Sequence, residues 1–307
     1  MEFCGAGRVS AAQLRQWKQD PEVGRAWIEQ HDGANVQRAQ EALTALAARL
    51  AAGGERQQVA ARLLMSDREG AAALAVASTD PLAYQLAYQS CGASQAVTGS
   101  PGCGQLSATR WAALDPTDAR PWLDLLAQAH RANDGPGIDT ALSAVAARPR
   151  LSRQGFLLVS QLLPVLPPGM DPVLRVHVLA QAVGIDMASV SLGSLPLRKV
   201  CTDARLATAG RAATCQAAAR QLLAGANDLW EAVIAQKLAD QLGVPKAEQA
   251  HSAATLQAAQ RALSERALQG VGADCASLKA MSDVVARQAS EGELAMALSL
   301  LPAPPAR

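Results

Sequence analysis

Aromatic side chains are scarce in this chain: they make up 3% of its 307 residues, with two Tyr, two Phe and five Trp. A core built largely without them must come from Ala, Leu and Val. That favours helices, because Ala and Leu lead the helix scale whereas strands prefer β-branched and aromatic residues. An excess of either charge is missing as well, since 28 basic residues against 27 acidic ones leave a formal charge of +1. Such a balance provides neither the electrostatic footprint of a nucleic-acid binder nor a polybasic membrane patch. No apolar run approaches the roughly 20 residues that span a bilayer. Motifs that carry chemistry are lacking in the same way. No G-x-x-x-x-G-K-[ST] loop is present to cradle phosphate, and "GVGADC" at 270–275 lacks the third Gly and the preceding strand of a dinucleotide fingerprint. Neither G-x-S-x-G nor H-E-x-x-H occurs, and His31, His130, His177 and His251 lie far apart, so no catalytic residue, metal or cofactor is expected.

What is present describes a globular chain. Hydrophobic residues make up 50% and charged residues 18%, and a chain of this length buries about three quarters of its unfolded surface. Four Asp-Pro dipeptides, Asp20-Pro21, Asp80-Pro81, Asp115-Pro116 and Asp171-Pro172, stand at or just before 3.6-period segments. Asp caps the free N–H groups of a first turn, and Pro next to it needs no donor and has its φ preset. Each dipeptide is therefore expected to open a helix. Gly53-Gly54 closes "NVQRAQEALTALAARLAA", Gly243 closes "NDLWEAVIAQKLADQL", and "LPPG" at 166–169 closes a helix expected from near Ser152. Roughly a dozen or more helices of about 9 to 20 residues result, with no convincing strand. The expected fold is all-α, in stacked antiparallel helical hairpins like an α-solenoid, with no sheet. A hairpin region over 1–170 would pack against a helical region over 171–307, or both would form one continuous domain.

One segment carries a repeat-like pattern. "LDPTDARPWLDLLAQAHRANDGPGIDTALSAVAAR" at 114–148 places Trp122, Leu125 and Ala129 on one face of a first helix, and Ala141 and Val145 on one face of a second. An echo after Asp80-Pro81 places Tyr84 and Leu86 similarly. Over these 35 or so residues the chain resembles a divergent tetratricopeptide hairpin, although the turn after His130 is longer than that family's and the Gly of its first helix is missing. The resemblance implies a concave face for a protein or peptide partner.

Cysteine placement is the most informative local feature. The chain has six cysteines and no C-x-x-C, which argues against zinc ribbons and thioredoxin-like motifs. Cys91 and Cys103 bracket a Gly/Ser/Pro-rich loop between helices, and Cys201 and Cys215 bracket another local turn. Both pairs are expected to be disulfides, which would place the protein outside the cytosol; six reduced, buried thiols in the cytoplasm are the alternative. Cys4 and Cys275 are left over. No signal-peptide pattern precedes "MEFCGAG", so the expectation is either a cytoplasmic protein or one whose export signal has been removed. Glu2-Phe3 matches the dipeptide that a common restriction site encodes. On that reading Cys4, followed by Gly5, Ala6 and Gly7, resembles the first residue of a mature bacterial lipoprotein and would carry a lipid anchor. A bridge from Cys4 to Cys275 is the equal rival.

The remaining candidates read mostly as structure. His31-Asp32 lacks the further upstream His of a metal phosphohydrolase and is expected at a polar helix end. Against a lytic transglycosylase, whose catalytic Glu precedes Ser, Ser264-Glu265 has the order reversed, and Ser290 and Glu293 have the spacing of a capping box. Trp17, Trp27, Trp111, Trp122 and Trp230 each lie in an apolar stripe and are expected in the core. Tyr84 and Tyr88, four apart, either stack on a ligand or plug a hairpin interface. The expected function is a non-enzymatic protein-binding adaptor of the bacterial periplasm or outer cell envelope, with no nucleic acid and no transmembrane segment. An inhibitor or immunity protein against a secreted enzyme is the second reading, and an all-α enzyme of unrecognised type the third.

Overall fold

The computed structural model describes residues 2–5, 7–92, 101–189, 194–202, 210–269 and 274–302. These residues are 76% helical. Among them strand is confined to an antiparallel ladder of β1 (Glu2–Phe3) with β2 (Gly7–Arg8), and one parallel bridge joins Asp118 to Arg150. Neither makes a layer, and the fold is all-α.

The helices follow in order. The first eight are α1 (Ala11–Gln19), α2 (Pro21–Ala51), α3 (Glu55–Leu64), α4 (Arg68–Ala77), α5 (Pro81–Gly92), α6 (Ala108–Leu114), α7 (Arg120–Arg131) and α8 (Gly135–Ala147). After them come α9 (Leu157–Leu162), α10 (Pro172–Ala188), α11 (Ser194–Val200), α12 (Arg211–Gly225), α13 (Leu229–Gln241), α14 (Ala253–Gln269), α15 (Cys275–Glu291) and α16 (Glu293–Ser299). Three of the four Asp-Pro dipeptides open helices: the carboxylates of Asp20, Asp80 and Asp171 accept from the amides of Glu22, Leu82 and Val173. Asp115-Pro116 does not. Asp115 ends α6, and α7 starts at Arg120, whose amide donates to the Asp118 carboxylate at 3.1 Å. The helix expected from Ser152 starts only at Leu157, because residues 151–156 belong to no helix. At 31 residues, α2 is also longer than expected.

Three apolar cores organise these helices. The first joins α2, α3, α4, α5, α9 and α10, with Leu50, Leu64, Tyr84, Leu158, Leu162 and Leu179 wholly enclosed. The second joins α7, α8, α11, α12 and α13 through Leu126, Val145, Leu197, Cys215 and Leu238. The third joins α13, α14 and α16 through Leu229, Leu256 and Met296. Helices α7 and α8 belong to the second core while α9 and α10 belong to the first, so the two cores alternate along the chain. Packing also departs from an open stack in which each hairpin touches only its neighbours. Helix α10 lies against both α2 and α15, and α9 lies against α3 and α15.

Within the repeat-like segment, α7 and α8 pack together, and Ala141 and Val145 are buried as expected. The face of α7 is turned by one residue. Leu123 and Leu126 are fully buried, whereas Trp122, Leu125 and Ala129 flank the core.

Candidate functional site

Residues 151–154, which belong to no helix, bring Leu151 into the second core, and the polar groups around them form a cluster of buried hydrogen bonds. Its centre is an ion pair sealed from solvent. The guanidinium of Arg120, at the start of α7, donates to both oxygens of Glu231 on α13 at 2.5 and 2.9 Å, with side chains 1% and 2% exposed. Arg120 also donates twice to the Ser152 carbonyl, at 3.0 and 2.8 Å. Below it, one Asp118 oxygen accepts from the amides of Arg120 and Ser152.

The neighbours extend this cluster into every core. Gln85 on α5 donates to the Arg153 carbonyl at 2.6 Å. The Arg153 guanidinium donates to the Ala289 and Ser290 carbonyls at the end of α15. Asp228 caps α13 by accepting from the Glu231 amide, and Glu293 reaches back to accept from the Leu229 amide at 3.1 Å. Gly225 permits the close approach of Leu151, since a Cβ there would stand 2.5 Å from the Cβ of Leu151.

The electrostatics follow from this enclosure. Burial opposes the charge of Arg120, yet Glu231 outweighs it and holds the guanidinium above its ordinary value. Burial, reinforced by repulsion from Glu231, pushes Asp228 up to about 6. A second enclosed carboxylate, Asp186 on α10, accepts from the Leu158 and Val159 amides at 2.9 and 3.1 Å and so caps α9 from outside. Burial drives it up to about 7 against those hydrogen bonds. Arg120 occupies both Glu231 oxygens, so chemically the cluster is a clamp that holds three cores in register.

The sequence candidates fall out as follows. All six cysteines are paired: Cys4–Cys275, Cys91–Cys103 and Cys201–Cys215. The two local bridges match expectation. Of the two readings of Cys4, the structure has the bridge, so the sulfur that a thioether lipid anchor requires is already bonded to Cys275. Tyr84 and Tyr88 plug an interface: the Tyr84 hydroxyl accepts from the Ser107 amide at 2.9 Å, and the Tyr88 ring lies 5.4 Å from that of Trp111. Burial raises the Tyr88 phenol above its ordinary range. The side chains of His31 and Asp32 lie outside the described residues, as do residues 270–273. Glu293 is the first residue of α16, so it closes no capping box with Ser290 and caps α13 instead. Among the described residues no group of His, Cys, Asp and Glu is arranged to hold a metal.

The tryptophans divide, correcting the expectation that all five are core. Only Trp111 is fully buried. Trp17 and Trp27 are half-buried against one another and Phe3, and Trp122 is half-buried with the Arg148 guanidinium 4.6 Å above its ring. Trp230, on α13 directly before the enclosed Glu231, is 57% exposed. The central cluster escaped sequence reading because its partners stand 111 residues apart. Its one local signal is Arg120, a charged residue beside the apolar face of α7. Compared with protein-family models, curated proteins and solved structures, the chain matches none.

Proposed function

We propose that this chain is a non-enzymatic binding module of the bacterial cell envelope, which takes a protein or peptide partner on its helical surface with Trp230 as the anchor. The exposure of Trp230 carries this reading. Interface anchors are disproportionately Trp, Tyr and Arg, and the chain leaves an indole 57% exposed on a helix whose next residue is enclosed in the clamp. A rigid base of this kind lowers the ordering cost of binding. The three disulfides favour an oxidising compartment. No helix of the described residues is long and apolar enough to cross a membrane. The narrower reading, an inhibitor or immunity protein against one secreted enzyme, is favoured by the same side chain, because a single exposed aromatic suits a compact contact patch.

The test is affinity capture from a bacterial envelope fraction with the wild-type chain and with Trp230→Ala. The expected result is one partner that the variant no longer retains, with an unchanged melting temperature. Equal retention by the variant removes Trp230 as the anchor. Turnover of a peptide or cell-wall substrate by the chain alone overturns the binding reading. Loss of a captured enzyme's activity on adding the chain selects the inhibitor.

A further inference from the structure

The three disulfides differ in what surrounds them. Cys201 and Cys215 are both 0% exposed inside the second core. Cys91 is 2% exposed on α5 in the first core, with the half-buried Cys103 packed against it. Cys4 and Cys275 belong to none of the three cores, and Cys275, the first residue of α15, is exposed. Cys275 is thus the most exposed cysteine of the three bridges, and because access governs the rate of thiol–disulfide exchange, an external thiolate is expected to attack this bridge first, at Cys275.

This bridge also secures a part of the molecule that the cores do not. Residues 2–5 and 7–10 form a strap that holds Cys4 and Val9 8% and 2% exposed, and a Cβ at Gly5 would stand 3.1 Å from Val173 on α10. Beyond it α1 buries no residue and packs on α2. The first core takes no residue of α2 before Ala42. The aromatic trio of Phe3, Trp17 and Trp27 joins strap, α1 and α2, with ring centroids 5.3 to 5.9 Å apart. Gly24 makes room for it, because a Cβ there would meet the Trp17 ring at 3.0 Å. The described residues among 2–34 are thus an arm joined covalently to α15 at its base.

We infer that Cys4–Cys275 is a redox-operated latch, opened selectively by a dithiol reductant to free the arm while the three cores and the other two disulfides stay closed. In the first step a thiolate of the reductant attacks the Cys275 sulfur. The Cys4–Cys275 bond breaks, a mixed disulfide forms at Cys275, and Cys4 leaves as a thiolate that takes a proton from water. In the second step the other thiol of the reductant loses its proton and attacks the reductant's own sulfur in that mixed disulfide. Cys275 leaves as a thiolate at the amino end of α15, where the helix dipole favours negative charge. Two electrons pass from the dithiol, which ends as a cyclic disulfide, to the protein, which ends with Cys4 as a thiol and Cys275 as a thiolate that then takes a proton from water according to its pKa. Release uncovers the surface of α2 and α10 that Gly5 now covers beside Asn35 and Val173.

The full chain is incubated with increasing dithiothreitol, its free thiols are alkylated, and each cysteine is assigned by mass spectrometry of the digest. Hydrogen exchange is followed on the same samples. Cys4 and Cys275 are expected to become alkylated at roughly one tenth of the dithiothreitol concentration needed at the other four positions, or below. At that point amides of residues 11–34 lose protection, the intrinsic tryptophan emission shifts to the red, and far-UV circular dichroism at 25 °C is nearly unchanged. Earlier opening of either other bridge, or simultaneous opening of all three, overturns the inference. So does selective opening that leaves residues 11–34 as protected as before. The double variant Cys4→Ser/Cys275→Ser is expected to show the same loss of protection without reductant, and full protection in that variant likewise refutes the latch.

Discussion

Arg120 and Glu231 show how one pair of side chains governs much of this fold. Removing one partner of an enclosed ion pair leaves an uncompensated charge, which costs about 3 to 5 kcal/mol, whereas replacing both with apolar groups of similar size is often neutral. Glu231→Ala is therefore expected to lose that amount in urea denaturation, and Arg120→Met/Glu231→Leu to recover most of it. A loss below about 1 kcal/mol in the single variant would mean that the pair is open to water. Trp111 and Trp122 make a second comparison. Trp111→Ala empties a fully enclosed site and is expected to cost about 3 to 5 kcal/mol. Trp122→Ala loses a half-buried ring and one Arg148 contact worth about 0.5 to 1 kcal/mol, so its total falls well below that of Trp111 in the same denaturation series. Asp186 and Asp228 set a pH dependence. Their folded values, about 7 and about 6, lie above the ordinary carboxylate value near 4. The folded state thus keeps protons that the unfolded chain releases, and this contribution is complete below about pH 4 and lost as pH rises through about 6 to 7. The melting temperature is expected to be higher near pH 5 than near pH 8, with a smaller difference in Asp186→Asn; a rise toward pH 8 would contradict the assignment.

At the scale of elements, helix boundaries follow caps where the caps are local. Asp80 accepts from the amides of Leu82 and Ala83, and Asp171 from those of Val173 and Leu174. Alanine at either position is expected to lower stability by about 0.5 to 2 kcal/mol, read from the urea midpoint. Helix α9 obeys a different rule. Its N-cap residue, Phe156, sits at φ 59 with no side chain able to cap, and Asp186 supplies the cap from 28 residues away. A local reading therefore placed the start of that helix near Ser152. The same reason explains Asp115-Pro116, where Asp115 closes α6 and Asp118, held by the Ser152 amide, opens α7. Both failures occur where a carboxylate or amide that fixes a helix end comes from elsewhere in the chain.

At the scale of the whole molecule, the longest covalent loop carries a consequence of its own. In the chain-entropy treatment the bridges with separations of 12 and 14 residues each contribute about 3 kcal/mol, and the one with a separation of 271 contributes about 5.6 kcal/mol. Opening Cys4–Cys275 is thus expected to lower the melting temperature even though the folded cores survive at 25 °C, and an unchanged melting temperature would mean that the reduced chain already stays closed when unfolded. Composition alone determined the all-α class, because a core of Ala, Leu and Val with few aromatics packs as helices. Asp-Pro caps determined three helix starts and Gly stops the ends of α2 and α13, and cysteines flanking short loops determined two disulfides, since each of these signals acts over a few residues. Only the tertiary structure decided that Cys4 meets Cys275, that Arg120 meets Glu231, and that α10 lies on both α2 and α15. It also decided which tryptophan is core and which faces solvent. Those outcomes depend on which faces come together across a hundred residues or more, and helical periodicity names a face without naming what covers it.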